Sequence, residues 1–294
     1  MDFHLTLPGG RELALGALPG VMAILNVTPD SFSDGGRFAS AAAAGEEGVR
    51  LAELGVSILD IGGESTRPKG TAYGEGAREI SLNEEEGRIL PVLSYLRRNL
   101  PFLPLSVDTR RLEVARAALD AGADMVNVVT GLDVPSELFE MVASRGAPIV
   151  LNHCRGTPSS TFEESSFQNV THEVAEDLRA AREHALSFRI RAESIFLDPG
   201  LGFGKTPDQN FALLSALNRL APPGVPLVVG ASRKAFLGTV AGAPVSDRLP
   251  ESLAAVALCA EAAHTRPILV RVHDAGETLR FLATLGRAGR PPLT

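Results

Sequence analysis

Short apolar runs recur along the chain. Each is closed by a polar or glycine-bearing stretch and followed by a longer segment with helical spacing. The runs at 21–25, 56–61, 103–107, 125–129, 148–151, 195–197, 226–229 and 267–272 have the length and aliphatic content of strands buried on both faces. Between them the spacing predicts helices at 39–54, 82–100, 112–121, 136–145, 167–188, 207–220 and 248–264, with a last one reaching about Gly286. Gly122 and Gly146 stand where helix C-caps belong. Eight strand–helix units in succession predict a parallel sheet, closed as a (β/α)8 barrel with 1–294 as a single domain. Ahead of them, Phe3, Leu5 and Leu7 alternate with polar residues, as do Leu13 and Leu15, on either side of Pro8-Gly9-Gly10. That pattern predicts an N-terminal β-hairpin within 1–20, closing the bottom of the barrel.

The polar positions are as ordered as the apolar ones. Asn26, Thr66, Asp108, Asn127, Asp198, Lys234, Arg271 and His273 all fall at or just past the predicted C-terminal ends of strands. In a barrel those ends form one mouth, where the chemistry sits. The first of these loops, Asn26-Val27-Thr28-Pro29-Asp30-Ser31-Phe32-Ser33-Asp34-Gly35-Gly36, is longer than a strand–helix connection needs, which marks a binding loop. Two carboxylates and an amide, Asp108, Asp198 and Asn127, in one apolar mouth suit a cationic or donor-rich ligand. The plainer reading of any one of them is a strand-end cap. Arg271 and His273 share one side of the last strand by period-two spacing. Both can donate to an anion.

Composition narrows the field. The chain has 294 residues, 45% apolar and 21% charged, which is ordinary for a globular enzyme. A net charge of −7 argues against a nucleic-acid surface. No leader and no apolar run long enough to span a bilayer are apparent, so the expectation is a cytoplasmic protein without a membrane partner. Cys154 and Cys259 sit in unrelated contexts and support neither a disulfide framework nor a zinc site. There are three lysines: Lys234 stands in the mouth, while Lys69 and Lys205 read as solvated charges with no assigned role.

The long first loop, together with Asp60-Ile61-Gly62-Gly63-Glu64-Ser65-Thr66-Arg67-Pro68, Asp198-Pro199-Gly200-Leu201-Gly202-Phe203-Gly204-Lys205, Ser232-Arg233-Lys234 and Arg271-Val272-His273-Asp274, resembles the dihydropteroate synthases over almost the whole chain. The resemblance implies condensation of 6-hydroxymethyl-7,8-dihydropterin diphosphate with p-aminobenzoate, giving 7,8-dihydropteroate and diphosphate in folate synthesis. It also implies competition by sulfonamides. By the same resemblance Asp108, Asp198, Lys234, Arg271 and His273 carry catalysis, and Thr66, Asn127 and Val272 join them around the pterin diphosphate. Phe32, Ser65, Thr66, Arg67, Pro68, Phe203, Ser232 and Lys234 take the p-aminobenzoate. Asn26 is the position associated with Mg2+, and the family's habit implies a homodimer through outer helices, with 253–263 a candidate contact. The chain departs from the family's pattern at Val128, Asn152 and Cys154, which bears on pocket walls. The alternatives are a non-catalytic pterin-binding homologue and a methyltetrahydrofolate:corrinoid methyltransferase. The latter needs no diphosphate site and no such first loop.

Overall fold

The computed structural model describes residues 2–27, 41–64, 80–129, 133–155 and 167–288. Its strands are β1 (Phe3–Thr6), β2 (Glu12–Leu15), β3 (Gly20–Asn26), β4 (Ile58–Gly62), β5 (Leu105–Asp108), β6 (Met125–Val128), β7 (Ile149–Asn152), β8 (Ile195–Asp198), β9 (Leu227–Val229) and β10 (Ile268–Val272). Strands β3 to β10 pair in parallel in chain order, and β10 returns to β3, so the sheet closes as the predicted eight-stranded barrel. The helices between them are α1 (Ala41–Glu53), α2 (Leu82–Asn99), α3 (Leu112–Asp120), α4 (Ser136–Arg145), α5 (Val170–Ser187), α6 (Pro207–Leu214), α7 (Ala235–Gly238), α8 (Leu249–Ala262) and α9 (Ala275–Ala288). No helix among the described residues is long and apolar enough to cross a membrane.

Local chemistry sets several of these boundaries. Ser81 caps α2 by accepting from the Glu84 amide at 3.2 Å, and Thr206 and Gln209 close a capping box on α6. Gly146 ends α4 in the left-handed conformation at φ 61°. One expectation needs correcting, and one element is new. The helix read over 207–220 is α6 followed by a separate 3-10 turn, Leu217–Arg219. The stretch before 248 contains the short helix α7, too brief for apolar periodicity to reveal.

Alternation divides the strand residues between two cores. Leu25, Leu59, Ile61, Val107, Val126, Val128, Leu151, Leu197, Val270 and Val272 face the helices in one continuous apolar layer. The inward set differs between the two ends of the barrel. At the bottom, Met22, Ile58, Met125, Val150, Phe196, Val228 and Leu269 pack against Leu5, Leu7, Leu13 and Leu15 of the antiparallel β1–β2 hairpin. Phe3 adds an edge-on contact to Phe196 at 5.8 Å. The hairpin is thus a plug, and Asp124 fastens it. One carboxylate oxygen accepts Arg11 Nε at 2.5 Å. The other accepts Arg97 Nη2 at 2.8 Å and the Leu105 amide at 2.9 Å.

Candidate functional site

Toward the mouth, two residues further along, the inward positions of β4, β6, β7, β8 and β10 become polar: Asp60, Asn127, Asn152, Asp198 and Arg271. The register sets Ile24 beside Asp60, Asn26 beside Gly62, Gly62 beside Asp108 and Asp108 beside Asn127. Asn152 of β7 is level with Asp198 of β8. The result is a ring of carboxylates and amides, of which Asp60 is fully buried and Asp108, Asn127, Asn152 and Asp198 nearly so.

Arg271 on β10 ties the ring together. Its Nε donates to Asp60 Oδ2 and its Nη2 to Asp108 Oδ2, each at 2.6 Å. Asp60 Oδ2 also accepts Asn127 Nδ2 at 3.0 Å. Asp198 Oδ1 accepts the Gly200 amide at 2.7 Å, which fixes that carboxylate at the head of its loop. Beyond β10, His273 Nδ1 lies 3.1 Å from Ser232 Oγ, and the His273 amide donates to the same oxygen at 3.2 Å. Val272 points the other way, buried among the helix-facing residues, and has only its backbone near the mouth.

The crowding of charge shifts protonation. Burial pushes the Asp108 carboxyl up to about 7; Arg271 opposes this, and Asp60, Glu85 and Asp198 reinforce it. Arg271 moves up despite its own burial, because Asp60 and Asp108 hold its cation. Burial brings the Lys234 ammonium down to about 8, with Asp198 resisting and Arg271 assisting. Its Nζ donates to the Leu201 carbonyl and sits 4.4 Å above the centre of the Phe203 ring.

The loop carrying Phe203 is held by Lys205, which corrects its reading as a solvated charge. Lys205 Nζ donates to the carbonyls of Gly200, Phe203 and His153 at 2.9, 3.0 and 3.3 Å. Burial brings this ammonium down to about 7. Gly200 is required here: its φ is +64°, and a Cβ would fall 1.8 Å from the His153 carbonyl oxygen. Asn210 Oδ1 accepts the Gly202 amide at 2.6 Å, closing the other side of the loop.

At the rim, the two ends of the second long loop are pinned. Ile80 N donates to Glu64 Oε1 at 3.2 Å, and Arg111 Nη2 donates to the Ile80 carbonyl at 2.7 Å. Arg88 Nη1 holds the Gly63 carbonyl at 2.8 Å. Buried Glu85 accepts Thr109 Oγ1 at 2.7 Å and pairs with Arg111. Phe32, Ser65, Thr66, Arg67 and Pro68 lie outside the described residues.

Asn26 Oδ1 and Asp108 Oδ2 lie 3.6 and 3.7 Å from the point that a Cβ on Gly62 would occupy. The two oxygens thus converge beside Gly62, where Asp108 Oδ2 is also the acceptor of Arg271 Nη2. Among the described residues, no three His, Cys, Asp or Glu side chains assemble as a metal site. Any Mg2+ here would draw most of its ligands from water and from a bound anion.

The mouth brings together Asp108, Asn127, Asp198, Lys234 and Arg271, all chosen from the sequence. It adds two residues that the sequence left unassigned, Asp60 and Lys205. Asp60 lay inside a recognised motif, but its partner Arg271 is 211 positions away.

Comparison with known proteins agrees with this geometry. Residues 22–273 match the family described as pterin binding enzyme. A dihydropteroate synthase of Synechocystis is 41% identical over 269 residues, spanning 91% of this chain and 90% of that protein. The structure of the Xanthomonas albilineans dihydropteroate synthase with 4-aminobenzoic acid superposes with a TM-score of 0.87 at 39% identity, covering 99% of this chain and 100% of that one. The same organism's enzyme in complex with 7,8-dihydropteroate gives 0.81 at 35% identity, with the same coverage.

Proposed function

The chain belongs to the pterin-binding enzyme family, among its dihydropteroate synthases, and from that premise we propose how its mouth performs the condensation. The substrates are 6-hydroxymethyl-7,8-dihydropterin diphosphate and p-aminobenzoate, and the products are 7,8-dihydropteroate and diphosphate. The observation that carries this reading is the set of acceptors in the floor. Asp198, Asp108 and the Asn127 amide gather at the barrel mouth, with the cations of Arg271 and Lys234 held beside them. A pterin offers adjacent N–H donors along one edge, which a carboxylate such as Asp198 can accept in pairs.

In the reaction, the bond between the exocyclic methylene carbon and the diphosphate oxygen breaks, and its electron pair leaves with diphosphate. The aniline nitrogen lone pair forms the new C–N bond, and the nitrogen then gives its proton to solvent or to the departing anion. Positive charge develops on the pterin methylene, and Asp108 and Asp198 stabilise it electrostatically. Negative charge develops on the leaving group, where Arg271 and His273 can donate. The aniline is neutral at pH 7 and needs no dedicated base to become a nucleophile. Lys234 and Phe203, stacked on each other, form the wall against which the aromatic acid is held in line. If Mg2+ binds, Asn26 Oδ1 would hold it beside Asp108, and the ion would share the charge of the diphosphate.

The same reading places sulfonamides in the p-aminobenzoate position as competitors, the protein in the cytoplasm, and a second copy against the outer helices. Incubation with both substrates and Mg2+, followed by mass analysis, should yield dihydropteroate only when p-aminobenzoate is present. A sulfonamide should raise the p-aminobenzoate KM without lowering kcat. Tight binding of pterin diphosphate with no dihydropteroate formed would instead favour the non-catalytic homologue.

A further inference from the structure

Asp60 is the one member of the mouth whose carboxylate reaches two proposed ligand-binding side chains at once while itself lying beneath them. It is fully buried at mid-height in β4. Its Oδ2 accepts both Asn127 Nδ2 at 3.0 Å and Arg271 Nε at 2.6 Å. Its Oδ1 is buried without a hydrogen-bond partner among the described residues. A side-chain amide next to a carboxylate has only one favourable orientation, with NH2 toward the anion and C=O away. With its donor facing Asp60, Asn127 is left with an oxygen to offer the mouth. Arg271, held at Nε, spans from Asp60 to Asp108 through Nη2.

We propose that Asp60 is a positioning residue that fixes the hydrogen-bond polarity of the pocket, holding Asn127 as an acceptor and Arg271 in its span to Asp108. The proposal rests on the pterin reading above and makes it more specific. The pocket then recognises an amino-substituted heterocycle that presents a donor to Asn127, and it rejects the analogue in which that amino group is a carbonyl. A site built to accept a donor discriminates strongly, because the analogue leaves buried acceptors facing each other. A neutral amide in place of Asp60 removes this instruction. The side chain at 60 can then present either end, Asn127 can turn over, and discrimination at that position relaxes.

The test compares 6-hydroxymethylpterin with its 2-oxo counterpart, 6-hydroxymethyllumazine, by calorimetry on the wild type and on Asp60→Asn. The wild type should prefer the amino compound. Asp60→Asn should shrink that preference by about tenfold or more, the worth of one charged hydrogen bond, while the p-aminobenzoate KM stays within about twofold. An unchanged preference in Asp60→Asn would overturn the proposal. A second measurement needs no pterin at all. Asp60→Asn and Asn127→Ala, made singly and together, should show non-additive effects on urea unfolding, because one acts through the other. Additive effects would overturn the positioning role. If the wild type binds neither heterocycle but the two substitutions are coupled, the pterin reading fails and the role of Asp60 stands.

Discussion

Two fully buried aspartates, Asp124 at the bottom of the barrel and Asp60 in the mouth, show how differently one fold uses the same side chain. Each has an arginine within hydrogen-bonding distance. Asp124 uses both oxygens, on two guanidinium groups and a backbone amide. Asp60 crowds two donors onto one oxygen and leaves the other bare. A buried polar atom without a partner costs about 1–3 kcal/mol, and such costs persist mainly where a site needs them. Of these two charges, Asp124 is therefore arranged for stability and Asp60 for binding. The distinction lies in how completely each charge is satisfied, since both are equally buried.

The largest effect should come from emptying the bottom site. Asp124→Ala strands Arg11 and Arg97 and should cost about 3–5 kcal/mol in urea unfolding, with substrate KM values unchanged in the protein that remains folded. Next comes the mouth: Asp198→Ala should weaken pterin diphosphate binding about 100-fold by calorimetry, with an unfolding midpoint close to wild type. Asp108 sharpens the contrast through pH. Its folded value near 7 stands above its ordinary 3.8, so ionising it costs the folded state. Its contribution to stability is greatest below about pH 4 and declines as pH rises to about 7, by at most ~1.4 kcal/mol per unit. Asp108→Asn should flatten that part of the stability profile measured by urea titration; an unaltered slope would mean the carboxyl ionises normally. The smallest effect should be that of Lys205→Met, which releases two carbonyls of the Phe203 loop and that of His153. It should raise the p-aminobenzoate KM about three- to tenfold, near 1 kcal/mol, and leave pterin diphosphate affinity as it was.

Much of this organisation could be read directly. Strands buried on both faces appear as unbroken apolar runs, and a barrel gathers their C-terminal ends, so Asp108, Asn127, Asp198 and Arg271 could be placed in one mouth from spacing alone. What spacing does not carry is pairing. Spacing marks Arg271 as an anion donor but gives no sign that its guanidinium also rests on Asp60 and Asp108, which are 211 and 163 positions away. Lys205 read as solvated because a lone lysine in a glycine-rich loop usually is; only the fold brings the His153 carbonyl over from the neighbouring strand. The α6 boundary is hidden in the sequence because the residues after Leu214 keep apolar spacing while the chain tightens into a 3-10 turn. The identity of the ligand came from motifs rather than from physical pattern, since a row of acceptors specifies a donor-rich edge but not a pterin.

The most direct test of the division between mouth and bottom is p-aminobenzoate-dependent diphosphate release by Asp198→Ala and Asp124→Ala, each normalised to its folded fraction. The account predicts that Asp124→Ala turns over at the wild-type rate per folded molecule, while Asp198→Ala falls at least about 100-fold in kcat/KM for the pterin diphosphate. Equal losses in the two variants would contradict it, because stability and chemistry would then not be separable along the barrel.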